Sequence, residues 1–295
     1  MKITEAFERG EFVVTAEVGP PKGYHIEHLL DEAKTYLSDI TAVNVTDNQS
    51  SVMRLGSLAT CKALKDEGLT PIFNALQVAC RDRNRIALES DLLSAAMFGI
   101  ENLLLLTGDH TKLGDHPQAK PVFDLDSVSL IHTVKQLESG VDLGGNELVG
   151  EPPKFAKGAV VSPCSDSIDA QLAKMERKVA AGCDYFQTQA VYEPEKFIQF
   201  MEKAKQFGKP VQLGVVIPKS VGMCRFMNAN VAGIHIPEEL ITELKADKEK
   251  TKAGITGVEI IARIIKECKP YCQGVHIMAL GWESKVPALL KEAGI

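Results

Sequence analysis

Residues 172–189 read LAKMERKVAAGCDYFQTQ, and the parsing of this stretch decides the fold. Leu172, Met175 and Val179 recur at spacings of three and four, the period of one helix face. Gly182 follows, and a glycine just past a helix adopts the left-handed conformation without a Cβ clash. Tyr185 to Gln189 is then a short strand-like run, with Gln187 and Gln189 on one parity. Helix, glycine, strand is the predicted unit, and Gly68, Gly99 and Gly208 punctuate the chain in the same way. Working outward, strand-like runs lie at 12–17, 42–46, 72–76, 102–107, 159–162, 185–189, 211–217 and 274–279. Helix-period segments separate them, such as Leu55, Leu58, Cys61 and Leu64 on one stripe. Repeated βα units give a parallel sheet. Eight strands within roughly 250 residues point to a closed (β/α)8 TIM-type barrel, an α/β fold with a single domain over residues 1–295. An open doubly wound sheet stays as the alternative, because periodicity does not report closure. No G-x-G-x-x-G follows the first strand to favour it.

Composition narrows the function. The chain has 45% hydrophobic and 24% charged residues, an ordinary globular balance. Its net charge of −6 argues against a nucleic-acid surface, which needs a basic face. No apolar run reaches the roughly 18 residues of a membrane span, and the first residues lack the apolar core of a signal peptide. Seven cysteines, scattered and odd in number, suit reduced thiols better than a disulfide framework. A cytoplasmic protein is expected.

In a barrel, polar residues at the C-terminal ends of the strands converge on one mouth. Those ends carry Glu17, then Thr46, Asp47 and Asn48, then Gln77, then Asp109 after Thr107-Gly108, then Ser162, then Gln187 and Gln189. Glu17 ends an apolar run and is followed by Gly19-Pro20-Pro21, which stops the strand. It reads as a proton donor at a desolvated mouth, or as a strand-end carboxylate satisfied by a neighbour. Asp109 reads as a site residue or as a turn former. Arg81, Arg83 and Arg85 follow the third strand and read as an anion-binding cluster or as solvated charges. The histidines, His276 among them, are isolated, and Cys268-x3-Cys272 lacks a second pair. No metal is expected. No P-loop or G-x-S-x-G occurs. Lys219, after the seventh strand, makes no convincing Schiff-base or phosphate-binding pattern for an unrelated barrel enzyme.

Four runs, TAEVGPPKG (15–23), VTDNQSS (45–51), LLLLTGDHTKLGDHPQAKPVFDLDSVSLI (103–131) and RKVAAGCDYFQTQ (177–189), resemble the methylenetetrahydrofolate reductases. The resemblance runs over nearly the whole chain, with the motifs in the same order. It implies a flavin-containing (β/α)8 barrel, usually with FAD, that reduces 5,10-methylenetetrahydrofolate to 5-methyltetrahydrofolate by hydride transfer through the flavin. It implies Glu17 as the acid that opens the substrate's five-membered ring at N10. It further implies Asp109 near flavin and pterin, Gln189 on the folate, and Thr46, Gln77, Ser162, Gln171 and Lys178 at the flavin. Gln77 stands where some members have histidine, Gln171 where the family has aspartate, and Ser162 where it has tyrosine. These departures leave FAD against FMN open. Gly222 aligns with an aromatic that stacks on NADH in some relatives. NAD(P)H and a partner electron-transfer subunit are therefore both retained as electron donors. The other reading is a flavin- or folate-binding barrel subunit that works only with such a partner. A homo-oligomer is compatible with either.

Overall fold

The computed structural model describes residues 2–69 and 74–295. Eight parallel strands close in sequence order: β1 (Val13–Val18), β2 (Ala42–Val45), β3 (Asn74–Ala79), β4 (Asn102–Leu106), β5 (Ala156–Val161), β6 (Tyr185–Ala190), β7 (Val211–Val215) and β8 (Gly274–Ile277). β8 pairs back onto β1, with Thr15 beside His276, which completes the barrel. The chain is thus a (β/α)8 barrel. Each expected strand has its counterpart, although residues 72 and 73 of the third lie outside the described residues.

A helix precedes the barrel, α1 (Ile3–Glu8). One helix follows each of the first six strands: α2 (Glu27–Tyr36), α3 (Ser57–Asp66), α4 (Arg85–Met97), α5 (Ser127–Glu138), α6 (Ile168–Ala181) and α7 (Pro194–Ala204). After β7 come α8 (Val221–Asn230), α9 (Glu238–Ala246), α10 (Lys248–Lys252) and α11 (Ile255–Cys268), and α12 (Val286–Ala293) ends the fold. α6 shows the local logic. Ser167 caps its start by accepting from the Ala170 amide at 3.3 Å, and Leu172 and Met175 are buried against the barrel. Gly182 ends it at φ 111°, where a side chain would be strained.

Strands covered by helices are buried on both faces, which is why they read as continuous apolar runs. α1 has a different task. Ile3 and Ala6 pack with Val13, Ala42, Ala156 and Tyr185 in a separate apolar cluster. The Ile3 amide donates to Asn102 Oδ1 at 2.8 Å. This helix therefore plugs the N-terminal rim, and burying Ile3 alone contributes roughly 1.5–3 kcal/mol. The opposite rim carries the loops that follow the strands.

Candidate active site

The mouth contains a cavity of about 320 Å³, lined among others by Glu17, Gln77, Asp109, Gln187, Gln189 and His276. Side chains at the strand ends reach it because alternate residues of each strand point inward. Glu17 is 8% exposed, so its carboxyl oxygens need partners. Gln77 Nε2 donates to Oε1 at 2.7 Å, His276 Nε2 lies 3.3 Å from the same oxygen, and Gln49 Nε2 donates to Oε2 at 3.2 Å.

Behind Glu17, polar side chains fill the barrel where branched apolar residues are usual. Asn44 Nδ2 donates to Gln187 Oε1 at 2.9 Å, which turns the Gln187 amide nitrogen toward Gln212 Oε1 (3.0 Å) and Thr15 Oγ1 (3.3 Å). Gln212 Nε2 donates to Thr15 Oγ1 as well, at 3.2 Å. A hydroxyl oxygen has two lone pairs, so these amides fill it. The Thr15 proton must then go to His276 Nδ1, 2.8 Å away. That fixes the imidazole with its proton on Nε2, donating to Glu17. Sequence reasoning treated His276 as isolated and passed over Thr15, Asn44 and Gln212. The usable signal was parity: Thr15 lies two residues before Glu17 on the same inward face. Asn44 Oδ1 is buried with no hydrogen-bond partner among the described residues.

The other expected site residues fall into two groups. Asp109 is exposed at the rim, and its carbonyl accepts from Arg81 Nη1 at 3.3 Å. Gln189 is half-buried and lines the cavity, with Oε1 accepting from the Ala190 amide at 2.9 Å and no hydrogen bond from Nε2 among the described residues. Thr46 is buried outside the cavity lining, donating to the Val18 carbonyl at 3.5 Å. Ser162, Gln171 and Lys178 gather on the neighbouring β5–α6 rim. The Ser162 amide donates to Gln171 Oε1 at 3.2 Å, and Lys178 Nζ donates to the Val160 carbonyl at 2.5 Å. Among the described residues no carboxylate pairs with Lys178. Burial lowers its pKa from the ordinary lysine value. Val160 also lines the cavity, so the two groups adjoin.

Each of the three arginines pairs with a carboxylate, Arg81 buried, Arg83 half-buried and Arg85 exposed to solvent. Arg81 grips Asp82 with two bonds, at 2.8 and 2.6 Å, and is 2% exposed. Arg83 bonds Asp47 and Asp91, and Arg85 bonds Asp124. Burial raises the Asp47 carboxyl above the usual range despite Arg83 beside it. Burial also pushes the Cys164 and Cys272 thiols up to about 11, which leaves neither as a thiolate nucleophile near neutrality. Among the described residues no cluster of His, Cys, Asp or Glu is arranged to hold a metal.

A family model for methylenetetrahydrofolate reductase matches residues 2–294. Methylenetetrahydrofolate reductase 2 of Schizosaccharomyces pombe is 26% identical over 231 residues, which cover 75% of this chain and 35% of the yeast protein. The chain thus spans about a third of that relative's length. The 5,10-methylenetetrahydrofolate reductase of Escherichia coli is 24% identical over 267 residues, covering 88% of this chain and 82% of the bacterial one. A Clostridium thermocellum protein solved with two copies of 5-methyl-5,6,7,8-tetrahydrofolic acid superposes with a TM-score of 0.64 at 15% identity. That superposition covers 99% of this chain and 97% of the other, and it shows the shared barrel. With the family model matched from residue 2 to residue 294, the chain belongs to the methylenetetrahydrofolate reductase family.

Proposed function

We propose that this protein reduces 5,10-methylenetetrahydrofolate to 5-methyltetrahydrofolate with a bound flavin, FAD or FMN, and that Glu17 is the general acid. The observation that carries this reading is the uneven commitment of the buried Glu17 carboxyl: Oε1 is held by two donors on strands, while among the described residues Oε2 meets only the loop residue Gln49. The substrate's five-membered ring opens only if N10 receives a proton. Oε2 is the oxygen from which Glu17 can deliver it, with Gln77 and the Nε2–H of His276 orienting the carboxyl.

The residues suit a flat amphipathic ring with an anionic tail. Leu104, Leu106, Val160 and Met278 give the cavity apolar walls, and Gln77 and Gln187 give it amide groups. On the adjoining rim Lys178, with no carboxylate partner among the described residues, would meet a phosphate of the flavin, with Ser162 and Gln171 near it, while Thr46, at the end of β2, would meet another part of the flavin. The flavin, when bound, supplies the hydride. Gln189, with no hydrogen bond from Nε2 among the described residues, would donate to the pterin, and the exposed Asp109 carboxylate would accept from its amino group. NAD(P)H or a partner subunit would reduce the flavin. Bleaching of the flavin absorbance on adding NADH or NADPH separates these donors.

The test is Glu17→Gln, which keeps the shape and loses the proton. Oxidation of the reduced flavin by 5,10-methylenetetrahydrofolate, followed anaerobically by rapid mixing, should slow by about 10²–10⁴-fold. Reduction of the flavin by its donor should be unaffected. A variant that oxidises at the wild-type rate would remove Glu17 from the mechanism.

A further inference from the structure

Three cavities meet at the loop after β2. One of about 320 Å³ holds Glu17, a second of about 690 Å³ lies against the start of α3, and a third of about 220 Å³ lies against Thr111 and Asp115. Asn48 lines all three, so the segment 48–51 is the wall between them.

That wall is built in an uncommon backbone conformation. Asn48, Ser50 and Ser51 have φ of 45°, 55° and 60°, three left-handed residues out of four and none of them glycine. Such residues cost about 1–2 kcal/mol each, less for asparagine, and persist only where neighbours hold them. The holding contacts come from three sides. Arg81 Nη2 donates to the Asn48 carbonyl at 3.2 Å, and Arg54 Nη1 to the Pro20 carbonyl at 3.1 Å. The Met53 amide donates to Asp115 Oδ1 at 3.1 Å. Gly114 passes so close to the Ser51 carbonyl that a Cβ there would lie 1.7 Å from the oxygen.

The loop presents Gln49 to the site, and its donation to Glu17 Oε2 differs in kind from the other two. Gln77 sits on β3 and His276 on β8, so neither can withdraw without opening the barrel. Gln49 can leave by a change in the loop alone.

We propose that residues 48–51 form a strained lid latched shut by Gln49 on Glu17, and that the folate displaces this latch to reach Oε2. The inference deepens the folate reading and rests on it. While the latch is closed, Gln49 holds one of the two acceptor sites of Oε2, the seat for which a ligand group must compete. When a polar group of the ligand takes that seat, the loop leaves its left-handed conformation. The partition at Asn48 then gives way, and the 320 Å³ cavity joins the larger one beside α3. A cavity at the low end of small-molecule sites thereby gains room for the rest of the ligand.

Two measurements on the purified protein test this. The first is hydrogen–deuterium exchange of residues 48–54 without ligand, in wild type, Gln49→Ala, Glu17→Ala and the double variant. Each single variant should raise exchange to the same extent and the double no further, because one bond is lost from either end. Unchanged exchange in Gln49→Ala, or additive effects, would overturn the latch. The second is calorimetric binding of 5-methyltetrahydrofolate. Gln49→Ala should bind about five- to tenfold tighter than wild type, since the ligand no longer breaks an internal hydrogen bond to the Glu17 carboxyl. In the Glu17→Ala background the same substitution should change nothing. Equal affinities of wild type and Gln49→Ala, or an equal gain in both backgrounds, would sink the proposal. If wild type binds no folate, the folate reading falls, and the exchange measurement decides the latch by itself.

Discussion

The two sides of the barrel mouth satisfy their polar groups in opposite ways. Around Glu17, on β1, β3 and β8, every donor has been assigned: Gln77, His276 and Gln49 converge on one carboxyl, and Thr15 fixes the histidine from behind. Across the mouth, on β5 and α6, Lys178 Nζ bonds the Val160 carbonyl, and no carboxylate among the described residues pairs with it. A connected polar network, here satisfied except at Asn44 Oδ1, holds a group in one geometry, as a proton-transfer residue requires. A half-buried cation without a counter-charge is unfavourable in the empty protein and becomes favourable when an anion arrives. The first side is built for orientation and the second for binding.

The comparison breaks most visibly at Thr15. Thr15→Val leaves His276 Nδ1 without its donor and removes an acceptor from two buried amides. One unsatisfied buried group costs about 1–3 kcal/mol, which in a domain of this size lowers the melting temperature by about 5 °C. The folate half-reaction should slow as well, because His276 is no longer fixed with its Nε2–H toward Glu17. Thr15→Ser should restore both the melting temperature and the rate. A calorimetric scan of the valine variant that coincides with wild type would mean that the network does not hold the histidine.

Lys178 tests the other side, and there stability and binding should move in opposite directions. Lys178→Met should weaken flavin binding about tenfold, the loss of one charge-assisted contact, while making the flavin-free protein more stable near neutral pH. The sign follows from linkage. Burial lowers the folded-state pKa of Lys178, so the unfolded chain binds more protons between that value and about 10.4. Wild-type stability therefore rises with pH through this window. The advantage of the methionine variant should shrink as pH rises through this window and level off only above about 10.4, where the unfolded chain's lysine is neutral too. Urea melts of both proteins across that range measure it, and a constant gap would show that Lys178 is not held uncompensated.

How far each side could be read from sequence follows from its physics. The barrel was legible because helix periods, glycine stops and short apolar runs are local signals, repeated eight times. Glu17 stood out because a carboxylate at the end of an apolar strand is uncommon. His276 did not, since its partners Thr15 and Glu17 lie about 260 positions away and only barrel closure brings β8 beside β1. The arginines were legible only in part for the same reason: Arg85 is exposed, as a solvated charge opening a helix should be, but Asp47, Asp82 and Asp91 hold Arg81 and Arg83, and no local pattern couples Arg83 to Asp47. The left-handed wall at 48–51 was hidden as well. Asn and Ser tolerate many conformations, and it is Arg81, Gly114 and Asp115 that select this one.

The smallest expected effect separates support from contact on the Lys178 side. Ser167 caps α6, the helix that carries Gln171 and Lys178, but its hydroxyl accepts from the Ala170 amide and has no hydrogen bond to either side chain among the described residues. Ser167→Ala removes the oxygen that satisfies the Ala170 amide and should cost about 1 kcal/mol, whereas Ser167→Gly should cost only a few tenths. Both changes act at the first turn, three turns before Lys178, and helix ends loosen locally before the body of the helix does. The melting temperature should therefore fall by a few degrees in the alanine variant while flavin affinity holds. If affinity instead fell in step with stability across both variants, Lys178 would be placed by the global integrity of α6. Its bond to the Val160 carbonyl would then be a consequence of that placement and not its cause.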